Sequence, residues 1–282
     1  MIIDAHTHIF PSFICNKRES FFPGEPAFEL LYGSESSKME GASELIASMD
    51  KEGVDVSVVF GFPWRAADYF RRHNDYIIEA VLSNPERLVG LGCFSPLSPG
   101  AANEAERCFA LGLKGVGELA VYDSPLTDDI ISRMADVMAV CLEHDTPLLI
   151  HTNEPVGHKY PGKQELTLKQ IENFIKAYPD NKIILAHWGG GIFFYGLLKN
   201  EVKEAIKNVW FDTAASPYLY TSEIYRTAVS IIGDNKILFG TDYPLLTPSR
   251  YFREIESAGI SPEAVEKIKG KNAEALFGLL FS

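Results

Sequence analysis

The sequence predicts an α/β protein: a distorted eight-stranded parallel barrel of the TIM type, with a metal site at the C-terminal end of its strands. Three observations carry that expectation. A unit recurs along the chain, made of a short apolar run, a polar loop and a longer amphipathic stretch. From the second run onward the apolar runs start about 25 to 35 residues apart, the length of a strand–helix–strand crossover. Several runs end in a histidine or an aspartate.

The eight predicted strands are 2–8 (IIDAHTH), 54–60, 88–94, 114–121, 147–152, 182–187, 209–214 and 236–242. Their nearly continuous apolar character fits a parallel sheet covered by helices on its outer face. An open doubly wound sheet is the alternative, but the Gly-rich phosphate loop that often follows its first strand is absent. Helical stretches are expected at 43–52, 68–83, 103–111, 127–143, 168–177, 201–207, 222–232, 251–258 and 262–269, with KNAEALFGLL closing over the barrel. Thr127, followed by Asp128 and Asp129, reads as an N-cap with acidic first-turn residues. Pro85, Pro147 and Pro179 fall where a helix has already ended.

A chain of 282 residues is ordinary for one such barrel, so 1–282 reads as a single domain. One interval is too long for a plain connection. Residues 9–42 separate the first strand from the first helix and carry Phe13, Phe21, Phe22, Phe28 and Tyr32. A loop of that length is usually functional. A lid over the barrel mouth and an arm making subunit contacts are equally open readings.

The net charge of −12 opposes binding to nucleic acid, and no basic stripe relieves it. Cys15, Cys93, Cys108 and Cys141 show no close pairing, which predicts a reduced, cytoplasmic protein. The first residues lack the pattern of a signal peptide, and no apolar run of about 18 residues predicts a membrane span.

The chemistry gathers at strand ends. His6 and His8 sit two apart in the first strand, so both imidazoles can face one ion. A lone pair of this kind is weak evidence. It gains weight because apolar runs also lead into His151, His187 and Asp242. In a parallel barrel these ends open on one face, where barrel enzymes keep their active sites. Any one histidine alone reads as a hydrogen-bonded core residue; the five positions together point to a metal. Imidazole and carboxylate donors suit zinc (Zn2+), and also manganese, iron or nickel. Glu118 lies within the fourth apolar run, where an unpaired carboxylate is expensive to bury. A metal is one remedy; an arginine, a lysine or a protonated state is another. With Glu118 bound, the site could hold two ions.

Around the mouth, Trp64 and Arg65 follow the second strand as an apolar-plus-cation lip, and His158, Lys159, Tyr160 and Lys163 follow the fifth. A lysine or histidine there could hold an anionic group of a substrate, although an ordinary solvated loop explains the same residues. Gly189, Gly190 and Gly191 after His187 allow a close backbone approach or a simple turn. His73 and His144 read as surface or packing residues.

DAHTHIF, IHTNEPVGH, AHWGGG and FGTDYPL, in that order, resemble the amidohydrolase superfamily. They look most like its amidohydrolase-related branch, which includes aminocarboxymuconate-semialdehyde decarboxylase-like enzymes. The resemblance implies that His6, His8 and His151 bind the metal. It implies that His187 binds a second ion or polarises a substrate oxygen, and that Asp242 binds metal and acts as general base. The GEL run around Glu118 resembles the glutamate-bearing members, including TatD-like hydrolases. The relatives also suggest a homodimer. A metal-dependent hydrolase acting on a small amide, cyclic amide, ester or lactone is the leading expectation. Non-oxidative decarboxylation of an aromatic or muconate-type acid is the alternative. A non-catalytic barrel is the third reading, disfavoured by the completeness of the His and Asp set.

Overall fold

The computed structural model describes residues 1–199 and 201–279. Eight parallel strands form: β1 (Ile3–His8), β2 (Val56–Phe60), β3 (Leu88–Gly90), β4 (Val116–Leu119), β5 (Leu148–Ile150), β6 (Ile183–Leu185), β7 (Val209–Asp212) and β8 (Ile237–Leu238). They run in sequence order in two ladders, β1 to β3 and β4 to β8. Parallel bridges from Gly92 to Val116 and from Thr7 to Tyr243 join the ladders at both edges. The result is the expected barrel, distorted because two seams rest on single bridges rather than full ladders. Several strands are shorter than their apolar runs; β5, β6 and β8 stop at Ile150, Leu185 and Leu238, before His151, His187 and Asp242.

At the β8–β1 seam the backbones come very close. A Cβ on Gly240 would lie 2.8 Å from the Cβ of His6, so only glycine fits there. Amides of Ala5, His8 and Asp242 complete the seam on the carbonyls of Phe239, Tyr243 and His6.

Ile3, Ala5, Val58, Phe60, Leu91, Leu149, Ile184 and Leu238 pack together from strands on opposite sides of the barrel. Ala273, Leu276 and Phe277 of the last helix (Asn272–Leu276) and the turn after it join this cluster, as the expected closing helix should. Residue 280 of that expected helix lies outside the described residues. The larger apolar cluster, with Phe174, Phe193, Phe211, Phe239 and Tyr251, lies between strands and outer helices.

The outer helices fall near their expected positions. The stretch 127–143 is two helices, Asp128–Arg133 and Ala135–Glu143, broken at Met134. The Thr127 hydroxyl accepts the Ile130 N–H, as a cap should. No helix among the described residues is long and apolar enough to cross a membrane.

Residues 9–42 fold into short helical turns, Ser12–Cys15, Arg18–Phe21 and Pro26–Tyr32. The Arg18 guanidinium donates to the carbonyls of Tyr32, Ser34 and Ser37 and holds the excursion together. The buried Glu25 carboxylate accepts the amides of Arg65 and Ala66, which ties the segment to the loop after β2. Phe28 packs on Phe10, Tyr32, Phe62 and Trp64 at ring separations of 4.4 to 6.3 Å.

Candidate metal centre

Six side chains meet at the C-terminal strand ends: His6, His8, Glu118, His151, His187 and Asp242. A register shift between Asp4 and Thr7 breaks β1 just below the first pair. The His6 and His8 rings then lie 5.3 Å apart, edge to face, against Phe60. Two ligand-like triads form, His6/His8/Glu118 and Glu118/His151/His187, with donor atoms within 4.8 Å of one another. Glu118 belongs to both.

The rings are fixed from behind. The Nδ1–H of His8 donates to the Gly61 carbonyl at 3.1 Å, and that of His187 to the Ala214 carbonyl at 3.0 Å. His6 Nδ1 faces the Asp212 carboxylate at 2.8 Å, which can only accept. In each ring Nε2 is therefore the atom turned to the centre. His6 Nε2 is 3.6 Å from Asp242 Oδ1 and 3.8 Å from Glu118 Oε2. His8 Nε2 is 3.5 and 3.6 Å from the same two atoms, and His187 Nε2 is 3.4 Å from Glu118 Oε1. His151 is turned the other way: its Nδ1 meets Glu118 Oε1 at 2.9 Å.

The backbone bends to make this possible. His187 and Trp188 have φ of 55° and 61°, and Gly189 to Gly191 continue the left-handed course. A Cβ on Gly190 would lie 2.4 Å from the Asn153 carbonyl oxygen, so the glycine run is both a turn and a close approach. Asp242 also has positive φ, 64°, a region aspartate tolerates better than most residues.

The centre demands positive charge. Burial works against ionising Glu118, yet His151 and His6 hold its carboxyl well below the usual range. Asp242 is lowered in the same way, against burial, by its hydrogen bond with His8 and the charges of His6 and His187. Burial disfavours charged imidazole, but the carboxylates override it: His6 rises to about 9 and His187 to about 10. Buried carboxylates facing Nε2 atoms need either extra protons or a cation between them. His6 Nε2 and His151 Nε2 are buried without a hydrogen-bond partner among the described residues. This donor set fits a divalent cation.

The expected substrate lip is corrected in part. Trp64 is fully buried; its indole N–H donates to His73 Nδ1 at 3.0 Å and its ring packs under the 9–42 segment. It is a core residue because the segment covers it. Arg65 is over half exposed and pairs with Asp123 at 3.2 Å, lining a rim cavity of about 820 Å³ that none of the six central residues touches. His158 is exposed and lines a groove of about 600 Å³ with Glu154, Gly190, Gly191, Tyr218 and Tyr220. Lys159 is exposed too. Tyr160 donates its hydroxyl to Glu154, and Lys163 pairs with the same carboxylate at 2.7 Å. The loop's acid thus answers its own polar groups. His73 is a packing residue, as one of its two readings had it: Nε2–H donates to the Ile9 carbonyl at 2.7 Å.

Sequence reasoning passed over two residues here, Asp212 and Tyr122. Asp212 ends β7 and backs His6; the strand-end signal that marked Asp242 was present for it too. Tyr122 lies just beyond β4, its ring 5.5 Å from His151 and stacked on Phe62 at 6.4 Å. Tyr32 reaches the same region from the 9–42 segment, 6.0 Å from Phe62. Burial raises both phenols, and the charges of Glu118 and Asp242 add to it. Neither hydroxyl has a hydrogen-bond partner among the described residues.

A family model described as amidohydrolase matches residues 3–279. The chain is 25% identical to 2-amino-3-carboxymuconate-6-semialdehyde decarboxylase of Dictyostelium discoideum, over 98% of this chain and 91% of that protein. It superposes on the crystal structure of 5-carboxyvanillate decarboxylase from Sphingomonas paucimobilis with a TM-score of 0.79, at 20% identity over 99% of both chains. It also superposes on a dihydroxybenzoic acid decarboxylase from Polaromonas sp. JS666, solved with bound manganese and the inhibitor 2-nitroresorcinol (TM-score 0.73, 21% identity, 100% and 98% covered). At these identities the two superpositions establish the fold. The expectation of hydrolysis is corrected: the relative and both neighbours are decarboxylases. That expectation leaned on Glu118 bridging two ions, but a scaffold shared by both chemistries lets no one carboxylate decide.

Proposed function

We propose a metal-dependent non-oxidative decarboxylase, and the premise is plain: this chain belongs to the amidohydrolase family. The substrate is a small aromatic or muconate-type carboxylic acid. The observation that carries this reading is a cluster of imidazoles and carboxylates with the Tyr122 ring beside His151 and Phe62 stacked behind it. A flat, conjugated acid suits such a ring. The decarboxylases similar along the whole chain support it.

His6, His8, Glu118, His151, His187 and Asp242 would hold one or two divalent ions. Zinc fits the donors, and manganese is what one neighbour contains. A cation held there would supply positive charge for an anionic substrate. Asp242 takes a proton from a substrate hydroxyl and passes it to the carbon bearing the carboxylate. The carbon–carbon bond then breaks, its electron pair returns to the conjugated system, and carbon dioxide leaves. His187 keeps a donor or a ligand atom at the same carboxylates. Tyr122, backed by Phe62, holds the plane of the substrate. Tyr32 and Tyr122 offer free hydroxyls to its polar substituents. In this reading 1–282 is one catalytic domain and 9–42 is a lid that excludes water.

The test is a panel assay on metal-loaded protein. Hydroxylated benzoates and muconate-type acids should release carbon dioxide, with solvent deuterium at the vacated carbon in D2O. Turnover of a lactone, ester or cyclic-amide panel without any carbon dioxide release would overturn the reading.

A further inference from the structure

Asp212 stands behind His6, and both of its carboxylate oxygens are committed. It is fully buried at the end of β7. Oδ2 accepts from His6 Nδ1 at 2.8 Å. Oδ1 accepts the backbone amides of His187 at 2.8 Å and Ala214 at 3.0 Å. Ala214 in turn accepts His187 Nδ1–H through its carbonyl. One side chain thus braces a ring from β1 and the backbone beneath a ring that follows β6.

His6 is unlike the other two backed rings. His8 and His187 rest on backbone carbonyls, acceptors that no substitution can turn into donors. His6 rests on a side chain, so its tautomer depends on the chemistry of residue 212. We propose that Asp212 is a positioning residue that keeps the His6 proton on Nδ1, leaves the Nε2 lone pair facing the centre, and anchors the left-handed turn at His187. The proposal rests on the reading of His6 and His187 as metal ligands.

Asp212→Asn separates this role from a merely structural one. The new amide oxygen keeps the two backbone donors, because the flipped orientation would set an NH2 group against two N–H groups and lose both bonds. The NH2 group therefore faces His6 Nδ1, which must become an acceptor. The proton moves to Nε2 and covers the lone pair. Shape and backbone bonds are retained, so the variant should fold.

Zinc affinity is read by competition with a chromophoric chelator. His6 ring nitrogens are read in zinc-loaded, 15N-histidine-labelled protein by long-range correlation through the carbon-bound ring protons. Wild type should carry the proton on Nδ1. Asp212→Asn should carry it on Nε2 and bind zinc about 10- to 100-fold more weakly, the usual effect of losing a group that orients a ligand, with its melting temperature in chelator close to wild type. An Asp212→Asn protein with wild-type affinity and the proton still on Nδ1 would overturn the proposal while leaving the metal reading intact. A wild-type protein that binds no divalent ion would overturn the metal reading and this proposal with it.

Discussion

Thr241 holds Asp4 with two donors, its backbone N–H on Oδ1 at 2.9 Å and its hydroxyl on Oδ2 at 2.6 Å. The contact spans 237 residues of sequence. It fastens the β8–β1 seam directly below His6 and Asp242. Asp4→Ala leaves the Thr241 amide and hydroxyl buried without that partner, and stability should fall by about 3 kcal/mol. Urea denaturation measures it; a variant as stable as wild type would show that the seam does not depend on this contact.

Removing metal should destabilise the protein. The donor set is convergent only in the folded chain, so a bound ion favours the native state. At free ion about 100 times its Kd the gain is about 2.7 kcal/mol. Thermal melts with zinc or manganese should lie above melts in chelator, and coincident curves would contradict ion binding at the folded centre.

Asp242→Asn should keep metal but lose the proton relay. Carbon dioxide release should drop by about 10²- to 10⁴-fold, with metal content by elemental analysis close to wild type. Undiminished release would remove Asp242 from proton transfer.

His73 gives stability an acid limb. Burial, despite the Ile9 hydrogen bond, lowers it from 6.5 to about 4. Above pH 6.5 the ring is neutral in both states and contributes no slope. As pH falls from 6.5 to 4, the unfolded chain takes up a proton that the folded chain refuses. Stability is lost across that window, about 3 kcal/mol in full. His73→Leu should lose less stability than wild type between pH 7 and pH 5 in urea titrations. Equal losses would mean that another group carries the acid limb.

Tyr122→Phe should raise KM about tenfold, the worth of one hydrogen bond of about 1.4 kcal/mol, and leave kcat nearly unchanged. Steady-state kinetics on the best acid of the panel decides it; a fall in kcat alone would place Tyr122 in the chemistry instead.

The strand ends were legible because their signal is local. An apolar run leading into His151, His187 or Asp242 is visible in a few residues, and barrel topology then puts those ends on one face. Trp64 shows the opposite case. It too follows a strand, but the 9–42 segment folds over it, and no local pattern announces that cover. Lys163 likewise reads as an available cation until Glu154, nine residues away, is found against it. Asp212 carried the same signal as Asp242; what it lacked was a visible partner, since His6 lies 206 residues away.

By itself the sequence determined the barrel, the order of its elements and the residue types at the mouth, because periodicity and strand-end chemistry are written in neighbouring residues. Tertiary structure alone decided which nitrogen of each ring faces the centre, which carboxylate backs which histidine, and which aromatic ring lies beside His151. Those relations depend on ångström-scale distances between residues far apart in the chain, and they exist only once the seam between the last strand and the first has closed.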